Sequence, residues 1–368
     1  MRFALTDEQE QLSEAVARAM AGADTRSPGG LWQELVDMGV LGLGLAEQRG
    51  GSGGGLLELA LVAEQTGAAL GHVPFASGPV MAGGLLRQLD SPESDALVAR
   101  LTQGAAVVVA GETLPWPAHT AAPFGLSVDL ATASACGALT AVPAPAVPDP
   151  DGPAPAGPVT VLALAGAGDA AALVAFRSDS DGVVVTPAAS LDPSEPLAAY
   201  RLDRTPLTVL AEGHAATSTA AAAVAAASAV LALELCGTGA AIFGQAVGHA
   251  KTREQFGRPI GSFQSVKHLL ADRYVELDAA RAGALYACAL ADDDDPGAPV
   301  TAGAALAAAT EAAHNSARDA LQVFGGIGFT YEHAAHRYLR RTRARRALLG
   351  TPEQQLDALG AALAAHPS

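Results

Sequence analysis

The run Lys251-Thr252-Arg253-Glu254-Gln255-Phe256-Gly257-Arg258-Pro259-Ile260-Gly261-Ser262-Phe263-Gln264 decides how this chain is to be read. In a sequence dominated by alanine it gathers three cations, two aromatic rings and the amides of Gln255 and Gln264 in one place. A helix arriving from the N-terminal side cannot continue through Gly257-Arg258-Pro259, because proline lacks the amide hydrogen and its ring clashes with the preceding turn. Arginine presents a planar fork of donors to phosphate oxygens and a ring presents a stacking face, so the cluster suits a pyrophosphate joined to an aromatic base. A solvated helix end has the same composition, and the segment taken alone leaves both readings open.

Helical patterns flank it. Residues 214–250 precede it, and 262–291, 298–322 and 332–347 follow, interrupted by Asp292 to Gly297 and by Gly325-Gly326. The second interruption lies in Gln322-Val323-Phe324-Gly325-Gly326-Ile327-Gly328-Phe329. Residues without side chains let backbone N–H groups approach an anion closely, although such a run also ends an ordinary helix. From His214 to Leu233 there is no formal charge, which imitates a membrane span. Alanine is barely hydrophobic and Thr217, Ser218, Thr219 and Ser228 interrupt the run, so a buried core helix is expected.

Toward the N-terminus the texture changes twice. Short β-branched runs at 105–110, 159–164, 171–176, 183–186 and 206–210 predict strands. Between the first two, seven prolines in residues 143–158 predict an exposed loop. The first hundred residues predict helices: a capping box of Thr6 and Gln9 with Leu5 as staple, then 31–38, 56–70 and 80–89, with Pro74 and Pro79 bracketing a turn. Arg49-Gly50-Gly51-Ser52-Gly53-Gly54-Gly55 has neither a strand before it nor Lys-Ser/Thr after it, and is expected as a plain flexible connection. The plan is α+β: an N-terminal helical domain over 1–104, a small middle β-domain over 105–212 and a C-terminal helical bundle over 213–368.

Thirty-eight acidic against 22 basic side chains leave a net charge of −16, which repels nucleic acid and anionic membranes. A phosphate-bearing ligand must then be held by a local cluster of arginines. Cys136, Cys236 and Cys288 lie far apart with no Cys-x-x-Cys pair, which predicts neither disulfides nor a metal site. With an acidic start and no early apolar run, a cytoplasmic location is expected.

Taken together, in this order and at this distance, the two segments resemble the C-terminal domain of the acyl-CoA dehydrogenase family. Leu31-Trp32-Gln33-Glu34-Leu35, Leu41-Gly42-Leu43 and Gln48-Arg49-Gly50-Gly51-Ser52-Gly53 resemble its N-terminal part. The resemblance implies FAD, a CoA thioester substrate, loss of an α proton with hydride passing from Cβ to the flavin N5, and onward electron transfer to an electron-transfer flavoprotein. It implies that Arg253, Gln255, Phe256 and Gln264 hold the FAD pyrophosphate and adenosine, and that Gln322, Gly325 and Gly326 supply the other half of that grip, reaching the FAD of a neighbouring subunit. Arg337, Arg340, Arg341, Arg343, Arg345 and Arg346 form a basic helix, expected to ion-pair at a subunit contact rather than to bind nucleic acid.

The departures from the family pattern are equally specific. Where the family has its usual basic Glu, in Tyr-Glu-Gly-Thr, this chain reads Leu348-Leu349-Gly350-Thr351, so no catalytic base is expected at Leu349. The family's alternative Glu position falls near Ala227 and Ser228, and Glu234 matches a family Glu that is not the base. The loop that reads Thr-Glu-Pro-Gly-Ala-Gly-Ser in the family is Gly111-Glu112-Thr113-Leu114-Pro115-Trp116-Pro117, where only Glu112 matches. The half that serves a neighbour's FAD is kept and the half serving the chain's own site is lost. That pattern predicts one subunit of an α2β2 assembly with a related acyl-CoA dehydrogenase subunit that carries the Glu, similar to the enzymes that dehydrogenate steroid side-chain CoA esters. A homomeric flavoenzyme with a non-standard base and a non-enzymatic CoA-binding or scaffold subunit are the alternatives.

Overall fold

The computed structural model describes residues 5–22, 28–114, 125–144, 157–349 and 351–365. In chain order the helices are α1 (Asp7–Gly22), α2 (Pro28–Asp37), α3 (Leu56–Ala69), α4 (Gly83–Arg87), α5 (Pro92–Thr102), α6 (Gly213–Thr252), α7 (Gln264–Asp292), α8 (Ala298–Phe324), α9 (Ala335–Leu349) and α10 (Pro352–Ala365). The strands are β1 (Val107–Val109), β2 (Leu126–Asp129), β3 (Ser134–Pro143), β4 (Thr160–Ala165), β5 (Ala172–Arg177), β6 (Val183–Ala188), β7 (Leu197–Pro206), β8 (Thr208–Glu212) and the short pair β9 (Glu254–Gln255) and β10 (Arg258–Pro259). Helices at both ends with strands between them give the α+β plan that the sequence predicts. The packing divides into two compact units, residues 22–59 with 72–227, and residues 1–21 with 60–71 and 228–368.

In the first of these units the strands form two four-stranded sheets, ordered β1-β4-β5-β8 and β2-β3-β7-β6. β1 runs parallel to β4, and the remaining pairs are antiparallel. Val108, Val161, Val174 and Phe176 from one sheet share a core with Leu139, Tyr200 and Leu202 from the other. Phe176 meets Tyr200 edge to face with centroids 5.9 Å apart. Three strands lie outside the predicted ones. β2, β3 and β7 carry Ala, Ser, Asp and Arg in place of β-branched runs, and only the alternating burial of Ala198, Tyr200 and Leu202 marks β7. Of the predicted proline-rich loop, 145–156 lie outside the described residues.

Two expectations for this unit are corrected. Pro79 does not bracket a turn but sits inside a wide helical segment, Ala76–Ala82, where Val80 N donates to Phe75 O five residues back. That wider spacing accommodates a residue with no N–H to give. The glycine-rich connection is tightly built rather than flexible. Arg49 spends its nitrogens on Asp95, Leu86 O and Ser94, and a Cβ on Gly51 would lie 2.2 Å from Leu45 O. Trp32 Nε1 donates to Gly104 O at 2.7 Å and anchors α2.

In the second unit α1 begins with the predicted capping box, Gln9 N on Thr6 Oγ1 and Thr6 N on Gln9 Oε1. The apolar half of α6 is a core helix: 78% of its most hydrophobic window is buried. Residues 60–69 of α3 lie against it with backbones in contact, since a Cβ on Gly67 would stand 2.2 Å from Glu234 O and one on Gly237 2.0 Å from Glu64 O. That close approach brings Glu64 to Arg281 of α7, whose Nε and Nη2 donate to both carboxylate oxygens at 2.6 and 3.0 Å. Gly67→Ala is therefore expected to lower stability by about 1–3 kcal/mol, because a backbone clash is not relieved by a rotamer change. Gly244→Ala, where a Cβ meets nothing within 4 Å, should instead gain up to about 1 kcal/mol. Urea melts of the two variants check this contrast.

Candidate cofactor-binding site

α6 ends at Thr252, and the chain turns through β9 and β10 as a miniature hairpin with Arg258 opposite Gln255. Phe256 and Gly257 occupy its tip with φ of +54° and +78°. Two positive φ values are what a tight two-residue hairpin needs, but at phenylalanine this backbone is strained by about 1–2 kcal/mol. The strained residue is also 94% exposed. Its ring meets Phe263 edge to face, with centroids 6.2 Å apart, and the Arg258 guanidinium lies 4.1 Å over Phe263. A bulky residue held in a costly conformation and displayed to solvent is available for a contact outside its own chain.

Gln264 opens α7 and Gln322 lies in the last turn of α8; both are exposed. After Phe324, Gly325 adopts φ 63° and ψ −138°, a backbone open to glycine alone. A Cβ on Gly325 or Gly326 would meet nothing within 4 Å. Gly326 thus leaves open space rather than serving a packing contact in its own chain. The ends of α6 and α8 share one core of Ile242, Ala246, Ala250, Leu321, Phe324 and Tyr338, which brings the two predicted segments into a single region. The side chains of Arg253, Gln264 and Gln322 have no partner among the described residues; Gln255 Nε2 donates to Glu254 O. Exposed forked donors, an exposed ring and open space above glycine fit the pyrophosphate and adenosine half of a dinucleotide.

The predicted departures are placed as follows. Glu112 is no ligand: Oε1 accepts from Thr140 N and Ala141 N, and Oε2 from Thr140 Oγ1, which staples the Gly111–Thr113 turn to β3. Pro115, Trp116 and Pro117 and the side chain of Leu349 lie outside the described residues. Ala227 and Ser228 are buried. Glu234 is 3% exposed and clasped by two arginines, with Arg345 Nε at 2.9 Å, Arg345 Nη2 at 2.8 Å and Arg341 Nη1 at 3.2 Å. A buried carboxylate with both oxygens held by guanidinium groups serves to tie α6 to α9.

Arg341 and Arg345 are accordingly ion-paired inside their own chain, and Arg346 meets Glu311 and Glu353. For these three arginines this corrects the expectation that the basic helix pairs at a subunit contact. The sequence shows six arginines but not that the carboxylate shared by Arg341 and Arg345 lies more than a hundred residues upstream. All three cysteines are free thiols, and burial pushes Cys236 up to about 12. Among the described residues no three His, Cys, Asp or Glu gather as metal ligands.

Residues 216–364 match the acyl-CoA dehydrogenase C-terminal domain, and residues 6–91 match the acyl-CoA dehydrogenase N-terminal domain. The chain is 30% identical over 346 residues to the acyl-CoA dehydrogenase IpdE2 of Mycobacterium tuberculosis, across 94% of this chain and 90% of that one. This chain belongs to the acyl-CoA dehydrogenase family. It is also 35% identical over 325 residues to the acyl-CoA dehydrogenase FadE34 of the same organism, covering 86% of this chain but only 39% of that longer protein. Among solved structures, the ChsE4-ChsE5 complex from Mycobacterium tuberculosis contains a chain of the same fold, with a TM-score of 0.84, 25% identity and 100% of both chains covered.

Proposed function

We propose that this chain is a subunit of an FAD-dependent, heteromeric acyl-CoA dehydrogenase, completing the FAD site of a related partner that carries the catalytic Glu in an α2β2 assembly. The carrying observation is the unpartnered donor set of Arg253, Gln264 and Gln322 beside the strained, exposed Phe256. FAD, when bound, supplies the hydride acceptor for α,β-dehydrogenation of a CoA thioester. This chain's part is to grip: Arg253, Gln255, Phe256 and Gln264 take the pyrophosphate and adenosine, and Gln322, Gly325 and Gly326 close on them from the end of α8. A complex of two differently named subunits shares its fold, which supports an unlike partner. The steroid-type side chain as the acyl group and electron-transfer flavoprotein as acceptor follow from the family resemblance, a cytoplasmic location from the scattered free cysteines, and all three belong to the same proposal.

Co-expression with a related chain carrying Glu, followed by gel filtration and flavin absorbance per complex, tests this reading. Arg253→Ala should weaken FAD binding by roughly ten- to a hundredfold while leaving the thermal melt unchanged, since a charge-assisted bond to phosphate contributes about 1.5–3 kcal/mol. Arg253→Lys should recover only part, because an ammonium lacks the fork. Unchanged flavin content in Arg253→Ala would mean that the segment is only a solvated helix end.

A further inference from the structure

The two halves of the proposed grip are joined by a stack of rings that the cofactor reading does not account for. Phe324, the last residue of α8 before Gly325, is 6% exposed. His249, in the last turn of α6, stands against it with centroids 5.3 Å apart and the planes at 63°. His333, from the loop leading into α9, lies on it at 4.1 Å and 48°. Below, Gly328 fits only because it lacks a side chain: a Cβ there would stand 2.9 Å from Phe324 Cβ. Arg253 N donates to His249 O at 2.8 Å, so the imidazole sits one turn beneath the proposed phosphate ligand.

We propose that His249 and His333 are positioning residues of the FAD grip, clamping Phe324 so that the Gly325-Gly326 turn is held beside the Arg253 segment, and that protonation of His249 releases the turn. The inference rests on the FAD reading above. Ala335 N donates to His333 Nδ1 at 3.1 Å, which ties the His333 ring to the first turn of α9. The neighbouring His336 has the opposite role, its Nδ1 donating to His333 O at 2.8 Å. Protonating His249 sets a second cation at the end of α6, one turn before Arg253, a like-charge pair that loosens the end of the helix under Phe324.

For His249, burial is the main influence holding the imidazole below its ordinary value of 6.5, and Arg253 and His333 act in the same direction. Within one turn of the stack α6 carries Lys251 and Arg253, the loop Tyr331 and Glu332, and α9 His336, Arg337 and, in the shared core, Tyr338; α7, whose Val266, Leu269 and Leu270 pack on that core, carries Lys267 and His268, and the last turn of α8 carries no titratable group. Glu332 is exposed and is not among the groups acting on His249. Because the folded-state value is depressed, the stability due to neutral His249 is present above the unfolded value of 6.5 and is lost as pH falls through the lower folded one. His314 is depressed as well, chiefly by burial and then by Arg346 and Arg343. A melt of the whole molecule would therefore mix two sources, and a local readout is needed.

Hydrogen–deuterium exchange over residues 322–331, corrected for intrinsic rates, supplies that readout without any flavin. Opening of this segment should rise roughly 1.5- to twofold in the wild type between pH 8 and pH 5.5, the factor a like-charge pair one turn apart, as His249 and Arg253 are, carries. His249→Phe keeps a ring on Phe324 and removes the titrating charge, so its opening should change less over the same interval; His333→Gln serves as second variant and should raise opening at pH 8 by loss of the ring. In the mixed complex, FAD affinity measured by flavin fluorescence should weaken on acidification in the wild type and less in His249→Phe. An equal pH response of wild type and His249→Phe in exchange overturns the clamp. Exchange that responds as expected beside an FAD affinity that does not overturns the positioning role. Absence of FAD binding at pH 8 counts instead against the FAD reading, with exchange still deciding the clamp.

Discussion

Glu234→Ala is expected to lower the unfolding free energy by about 3–5 kcal/mol, the cost of breaking a buried ion pair from one side. Three short contacts from Arg341 and Arg345 converge on this carboxylate, and all three side chains are at least 95% buried. Alanine removes the anion and leaves two guanidinium groups in a place water does not reach. Glu234→Gln should lose less, since the amide oxygen still accepts while the charge is gone. Replacing all three residues by apolar ones of similar volume should recover much of the loss, because a buried triad contributes little net stability over good packing. Urea denaturation with an unchanged m-value checks the series. A loss below about 1 kcal/mol in Glu234→Ala would mean that the arginines are held by other groups and that Glu234 is incidental.

The same residue shows where sequence stops being informative. The long alanine helices were legible because an uncharged stretch such as 214–233 admits few other states, and α6 to α9 begin and end within a few residues of the predicted bounds. α5 and α10 were missed although both carry N-terminal signals. Ser91-Pro92-Glu93-Ser94 forms a reciprocal capping box with proline in the first turn, and Thr351 exchanges bonds with Gln354. The strands β2, β3 and β7 were missed for the opposite reason: their residues have weak strand preference and are held by cross-strand pairing, which no local pattern records. The candidate site divides in the same way. The donors of 251–264 and the glycines of 325–326 are visible as composition. The Glu234 triad joins residues 107 and 111 positions apart and the His249 ring meets Phe324 from the far end of another helix, and nothing in either segment names the other.

Purified without a partner, the chain is expected to dehydrogenate acyl-CoA at roughly 10²- to 10⁴-fold below the mixed complex, the contribution of a placed general base. Leucine at 349 cannot take up a proton, and neither can Ala227; Ser228 is a buried neutral hydroxyl. The two carboxylates nearest to family positions are both committed: Glu234 to two arginines, and Glu112 to the Thr140 backbone and hydroxyl. Freeing either would leave buried guanidinium groups or a detached turn, which supports the proposal that the base comes from the partner. Dye-coupled reduction with an acyl-CoA series, chain alone against co-expressed complex, measures the ratio, and Glu→Gln in the partner should bring the complex down to the level of the single chain. Turnover by the isolated chain comparable to that of the complex would locate a base within these 368 residues. That outcome would leave the homomeric reading in place of the heteromeric one, because a chain that removes its own α proton has no need of a partner's Glu.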